Sequence, residues 1–348
     1  MSIFDLVTSA ELAAYWLELT QEREPFLGEE LFPDDKKRGL DLKYIKGAKG
    51  LPVVLKASAF DAAAVPRPRI GFEKLSAEMP FFKESTYIDE ELRQELNMVL
   101  ETGNQAYIDS VMSRVFDDEK GLIESAAVSR ERMRMQAIST GTVAMSANGQ
   151  VFTFDYQIPS DHKGEAKVSW SNVGTADPYE DIRVAQEKIM DDTGTLVTRA
   201  VCNSVTFRKL RNNEKIKKEI FVLTQGVGAI SDAKVVDYLS DLLPDGIAKN
   251  DKRYIDENGD VQKYIPDDVF ILLPPQTLGK TWFGTTPEES DLMTSGVANV
   301  TIVDTGVAIT TIQKADPVNV ETKVTQICLP SFEAANEVYI MDVEVDGD

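Results

Sequence analysis

The sequence predicts an α+β fold, and three observations carry that reading. Helix-patterned segments run from Thr86 directly into a hairpin signal that ends at Pro159, helical and strand patterns alternate between Ala176 and Pro275, and from Val300 onward the pattern is wholly β. With 348 residues, 43% of them hydrophobic, the chain holds one large or two moderate domains and ample core.

The N-terminal stretch Ser9–Leu19 carries Ala10, Ala13, Ala14 and Leu17 among polar residues, which predicts a short amphipathic helix capped by Ser9 or Thr8 and ended by the run Gly28–Pro33. Such an arm either packs on its own domain or reaches a neighbour. Leu40, Leu42 and Tyr44 alternate with polar residues, and Pro52–Leu55 forms a second β-like run across the flexible link Lys46–Gly50, which together read as a long, loose hairpin. Prolines keep Ala62–Arg69 extended, and Phe72–Phe82 reads as an irregular return. So long a stretch with little helix is hard to bury, and it reads as a projecting element.

Thr86-Tyr87-Ile88-Asp89 has the form of a capping box, followed by Leu92, Leu96 and Val99 at helical spacing up to Gly103. Ile108, Val111, Met112 and Val115 define a second helix. The acidic cluster Asp117-Asp118-Glu119 suits the positive end of a third, whose stripe Leu122, Ala126, Met133 and Ala137 runs to a stop at Gly141. From Asp117 to Thr140 it spans about 36 Å. Asn148-Gly149 between β-prone runs is a tight-turn signal for a hairpin over Val143–Gln157. Asp177, Pro178 and Glu180 start a helix to about Asp191, closed by Gly194. Leu196–Val201 reads as a buried strand, Ser204 as the cap of a helix through Leu210, and Lys215–Ile220 and Ala233–Leu243 as further helical pieces. A hairpin brackets Asp256–Asp260, and Val269–Leu273 is a buried strand. The last strands are Thr301–Val303, Val307–Ile312, Val320–Leu329 and Val338–Val345, expected to form one sheet with the early hairpin beneath the long helix.

The formal net charge of −21 argues against a primary nucleic-acid binder, whose phosphate contacts need Lys and Arg. Cys202 and Cys328 form neither a disulfide framework nor a zinc-ligand spacing, so a reducing compartment is the simplest setting. The start of the chain lacks the pattern of an export signal, and no run of about 18 apolar residues occurs. The only histidine, His162, sits in a polar turn and reads as an exposed loop residue rather than a general base. Gln225–Gly228 lacks the features of a dinucleotide loop or a P-loop and reads as a turn. Asp256–Gly259 looks like part of a calcium loop, but the loop's first and last ligand positions fall on Tyr254 and Ile265. The basic run Arg208, Lys209, Arg211, Lys215, Lys217 and Lys218 is interrupted by Glu214 and Glu219 and reads as a solvated helical face, the alternative being phosphate contact. Arg130, Arg132 and Arg134 pair either across an assembly interface or within the fold. No nucleophile, base and orienter come together, so no catalytic, cofactor or metal residue is assigned and an enzyme is the poorer reading.

Taken in order, these elements resemble the major capsid proteins of tailed phages, and more specifically the lambda-type head protein (capsid protein E) family. The landmarks are Leu27–Pro33, Gly47–Ala57, Val168–Ser171, Ala176–Ile182 and Ala200–Lys217; the departure is an insert from Glu91 to Ser113. The resemblance implies a Hong Kong 97-type fold: an N-terminal arm (1–37), an extended loop (38–85), a peripheral domain with spine helix and sheet (86–175 and 304–348) and an axial domain (176–303). It implies hexamers and pentamers of this chain closing an icosahedral shell around double-stranded DNA, without sequence-specific binding, cofactor or membrane. Scaffolding, portal and decoration proteins are the implied partners, with assembly in the host bacterial cytoplasm. Some relatives crosslink a loop lysine to an asparagine, which here would involve Lys43, Lys46, Lys49 or Lys56 and Asn319 or Asn336; the lambda-type family is not built on it. The alternative is a nucleic-acid-associated or processing protein that uses residues 208–218.

Overall fold

The computed structural model describes residues 8–46, 73–88, 90–102, 105–147, 149–224, 230–296, 298–316 and 318–345. Its elements begin with α1 (Ser9–Glu22), α2 (Leu27–Leu31), β1 (Asp34–Lys36), β2 (Asp41–Lys46), β3 (Glu73–Glu78) and β4 (Phe81–Tyr87). Helices α3 (Glu90–Thr102) and α4 (Gln105–Thr140) lead to the hairpin β5 (Thr142–Ala147) and β6 (Gln150–Asp155), then β7 (Lys163–Glu165). There follow α5 (Pro178–Thr193), β8 (Arg199–Cys202), α6 (Ser204–Asn212), α7 (Glu214–Thr224), α8 (Asp232–Tyr238), β9 (Ile247–Lys249), β10 (Arg253–Ile255), β11 (Val261–Lys263) and β12 (Val269–Leu273). The chain closes with β13 (Thr281–Phe283), β14 (Asn299–Val303), β15 (Val307–Ala315), β16 (Val318–Pro330) and β17 (Tyr339–Asp342).

One compact unit comprises Met1–Leu42, Ala77–Arg134 and Lys280–Ser331. Its six-stranded sheet is organised on β16, thirteen residues long, with β15 along one edge and β4 and β13 sharing the other. β14 continues beyond β15, and β1 adds to β13 in parallel. Helix α1 packs on β14 and β15, and Ser9 Oγ shares a hydrogen bond with Thr301 Oγ1 at 2.8 Å. Its capping box is complete: the Thr8 hydroxyl accepts from the Glu11 N–H, and the Glu11 carboxylate accepts from the Thr8 N–H.

Helix α4 is continuous over 36 residues, about 54 Å at 1.5 Å per residue, and contributes to both units. The expected break at Asp117–Glu119 is absent. Asp117 is exposed in mid-helix, where its carboxylate accepts from Tyr15 Oη at 2.8 Å, and acidic side chains on a solvated face need no helix terminus. The helix stops where expected, at Gly141, whose φ of +77° is a left-handed conformation that favours glycine.

The second unit comprises Lys43–Ser76, Met135–Gly279 and Phe332–Asp348. Its five-stranded sheet has the order β7-β17-β12-β8-β9, antiparallel in the middle and parallel at both ends. Trp170, Ile182, Ile189, Phe207, Leu210, Ile216, Ile220, Phe270 and Met341 belong to one buried cluster that joins this sheet to the helices α5–α8. Each such side chain contributes about 1.5–3 kcal/mol by leaving water. Asp177 caps α5 by accepting from the Glu180 N–H, Pro178 occupies the first turn, and Gly194 closes the helix at φ +71°.

The structure corrects several other expectations. Thr86 lies in β4 opposite Thr322, so its hydroxyl caps no helix, and Phe72–Phe82, expected to be irregular, contains all of β3 and the start of β4. Gly28–Leu31 lies within α2 rather than in a helix-ending loop. Asn203, not Ser204, caps α6, accepting from the Thr206 N–H at 2.9 Å. The strand expected at Leu196–Val201 is paired only over Arg199–Cys202. The expected hairpin β5–β6 forms, but as its own two-stranded sheet, and β17 joins the five-stranded sheet rather than the other late strands. The single expected sheet is therefore divided, because each strand follows the core in which its apolar face is buried. β2 pairs with β3; the expected partner run Pro52–Leu55, the extended Ala62–Arg69 and the turn Gln225–Gly228 lie outside the described residues.

Candidate functional site

Arg130-Glu131-Arg132-Met133-Arg134 places Arg130 and Arg134 one turn apart on α4, on the side that carries Ala126 and Met133 into the core. Arg130, Glu131 and Arg134 are all buried, Glu131 completely. Arg130 Nη1 donates to Gln326 Oε1 at 2.9 Å and Nη2 to Asp304 Oδ2 at 2.8 Å, and the guanidinium stands over the Phe283 ring. Gln326 in turn donates to the Ala126 carbonyl at 2.9 Å, tying β16 to the helix backbone. Arg134 Nε donates to Thr281 Oγ1 at 2.9 Å, Nη2 pairs with Asp34, and Thr281 donates onward to the Phe32 carbonyl at 3.0 Å. The Gly28 N–H donates to Glu131 Oε1 at 3.0 Å, with Glu131 Oε2 at 3.8 Å from Arg134 Nη1.

Three segments distant in sequence, Gly28–Asp34, Arg130–Arg134 and Thr281–Gln326, are thus fastened into one buried joint. A buried ion pair recovers little net stability from its own formation, yet removing one partner strands the other and costs about 3–5 kcal/mol. The joint therefore specifies how the N-terminal segment seats on α4 and the sheet. Burial pushes the Asp34 carboxyl up, and Arg134 and Arg130 pull it partly back. Burial likewise pushes the neighbouring Cys328 thiol up to about 12. The arrangement presents interlocked charges and hydrogen bonds, which is a mechanical fastening.

The other sequence-predicted positions resolve as follows. His162 is buried rather than exposed, at 1% accessibility, because a 3₁₀ turn at Ser160–His162 folds it inward, where Nε2 lies 2.9 Å from Asp192 Oδ2. Asp161, His162 and Asp192 cluster as metal ligands would, but Lys188 Nζ lies 2.7 Å from Asp161 and 2.9 Å from Asp192. The lysine ammonium already neutralises those carboxylates, and its hydrogen bonds hold both below the usual range. In the basic run, Lys209 pairs with Asp268 and Glu344, Arg211 with Asp232, Lys215 with Asp177 and Lys218 with Glu214. Asp256–Gly259 is the turn of the β10–β11 hairpin, where Asp256 accepts from the backbone of Asn258 and Asp260. Lys46 donates to the Gln157 carbonyl and Asn319 to the Ile88 carbonyl, while Lys49 and Lys56 lie outside the described residues. Residues that sequence reasoning missed include Gly28, Asp34, Glu131, Thr281, Asp304 and Gln326. The one available signal was an acid set among arginines on a stripe of Met and Ala.

No helix among the described residues is long and apolar enough to cross a membrane. Two solved structures that share this architecture are a prophage protein and a phage-related protein. A protein assigned as a prophage capsid protein in Escherichia coli CFT073 superposes with a TM-score of 0.60 at 14% identity, over 97% of this chain and 99% of that one. A phage-related protein of Bordetella bronchiseptica RB50 superposes with a TM-score of 0.54 at 14% identity, over 98% of both chains. The class is therefore the tailed-phage capsid fold. The sequence model of phage major capsid protein E matches residues 8–343, and the chain belongs to that family. It is a major capsid protein, a structural component of the phage head. No curated protein matches it by sequence.

Proposed function

We propose that copies of this chain form hexamers and pentamers that close an icosahedral shell around double-stranded DNA, and that the chain has no enzymatic activity. Membership of the capsid protein E family over residues 8–343 carries this reading. The internal joint on α4 supports it, since a subunit that bears load in a shell needs its terminal segment locked to its longest helix. The net charge of −21 lets DNA enter without adhering to the inner wall. The basic segment 208–218 gives little support to the nucleic-acid alternative, because carboxylates face Lys209, Arg211, Lys215 and Lys218.

In this proposal residues 1–37 are the arm, 38–85 the extended loop, 86–175 with 304–348 the peripheral domain and 176–303 the axial domain. Within the last, β13 and β14 hydrogen-bond into the six-stranded sheet, which favours counting 280–303 with the peripheral part. Assembly takes place in the host cytoplasm, with scaffolding, portal and decoration proteins as partners. The test is expression of the full chain, alone and with a scaffolding protein, followed by sedimentation and electron microscopy. Closed shells are expected; a monomer under every condition overturns the proposal.

A further inference from the structure

Two surfaces of the second unit carry opposite charge and exposed apolar side chains. We propose that they are the two halves of a head-to-tail contact between copies of this chain, in which the tip of the β10–β11 hairpin docks on the outer face of α7 of the next copy. The inference rests on the shell reading above and deepens it by naming an interface.

The hairpin is built as a rigid probe. Asp256 Oδ1 accepts from the backbone N–H groups of Asn258 and Asp260, both at 2.9 Å, and Oδ2 accepts from Gln262 Nε2 at 3.1 Å. Gly259 takes φ +88°, and at the root Tyr254 stacks on Tyr264 with centroids 5.0 Å apart. Ile255 and Val261 are direct cross-strand partners, so their side chains share one face, and they are 69% and 63% exposed. Glu257 and Asp260 stand exposed beside them. An isolated exposed valine needs no explanation, but a paired apolar face on a stiffened hairpin with an acidic tip is suited to a partner.

Helix α7 offers the complement. Ile216 and Ile220 bury one side of it in the core and thereby orient the other outward. On that outer side Lys218 and Val222 are one turn apart, with Val222 75% exposed and Lys217 and Phe221 half-buried alongside. Lys218 holds only a 3.4 Å surface pair with Glu214, which is worth little and exchanges readily. Glu214 and Glu219 are exposed on this helix too, but against them stand Lys215, Lys217 and Lys218, and this small positive excess beside Val222 matches an acidic, apolar hairpin on another copy in both charge and hydrophobicity. Because the two surfaces differ, their contact is heterologous and propagates around a ring.

The test uses the full-length chain and three variants: Glu257→Lys with Asp260→Lys, Lys217→Glu with Lys218→Glu, and all four together. Sedimentation and electron microscopy read the concentration at which rings and shells form, and thermal unfolding checks the fold. Each pair should raise that concentration about tenfold or more through like-charge contact. The fourfold variant, which restores opposite signs, should return towards wild type, and the two pair variants mixed should co-assemble. Pair variants that assemble at the wild-type concentration, or a folded fourfold variant that stays dispersed, overturn the contact while leaving the shell reading intact. A wild-type chain that never associates overturns the shell reading and this contact with it.

Discussion

Substituting Gly28 by alanine tests the joint on α4 directly. A Cβ at that position would sit 2.3 Å from Glu131 Oε2, 2.7 Å from Arg134 Cδ and 2.9 Å from Arg134 Cβ. None of these atoms can give way cheaply, because Glu131 is completely buried and the Arg134 head is held by Asp34 and Thr281. Overpacking of this kind costs about 1–3 kcal/mol. If α2 shifts to relieve it, the hydrogen bond from the Gly28 N–H to the Glu131 carboxylate is lost as well, a further cost of about 1.5–3 kcal/mol. Alanine's better helix propensity returns about 1 kcal/mol. The net expectation with both costs is a loss of about 1.5–5 kcal/mol, read from urea unfolding of the unassembled subunit. Gly121→Ala is the control: it lies in α4 with nothing within 4 Å of the added carbon, and it should stabilise by about 0.5–1 kcal/mol. Equal stability of Gly28→Ala and wild type would refute the close seating of the N-terminal segment on Glu131 and Arg134.

Three further outcomes are expected. Burial pushes the Glu288 carboxyl up, but Lys323 Nζ at 2.7 Å and Thr325 Oγ1 at 3.1 Å outweigh it and hold the group below the ordinary range. Its contribution is therefore present above a carboxyl's unfolded pKa of about 4.3 and lost as pH falls through the lower folded value; Glu288→Gln should cost about 3 kcal/mol at neutral pH by stranding buried Lys323, and should flatten the acid limb of a stability–pH curve. Ala126→Pro removes a backbone N–H in mid-helix at a residue whose carbonyl accepts from Gln326, so a loss of about 3 kcal/mol or more and insoluble protein are expected on expression trials. Cys202 and Cys328 are buried, with both thiols pushed up to about 12, so iodoacetamide should label neither in the folded chain and both after unfolding, as intact mass would show.

The features legible in the sequence were those decided within a few residues. Asp177, Pro178 and Gly194 bounded α5, Asn148-Gly149 located a hairpin, and Val269–Leu273 was recognisable as a buried strand, because caps, turns and short apolar runs act over one turn or one strand pair. The order of the landmark motifs also carried the family. What only the tertiary structure decided were choices between partners remote in sequence. Thr86 is a plausible cap locally but lies in β4 because β16 supplies a whole ladder of hydrogen bonds there. Asp117–Glu119 resembles a helix start, yet α4 continues through it because burial of Val115, Ile123 and Ala126 on either side rewards an unbroken helix. His162 reads as a surface turn residue until Asp192, thirty residues later, gives its ring a buried partner. Arg134 and Asp34 stand 100 residues apart, and nothing local marks either as the other's counter-ion. A buried charge must be paired, but which charge pairs it depends on the elements that the whole core brings together.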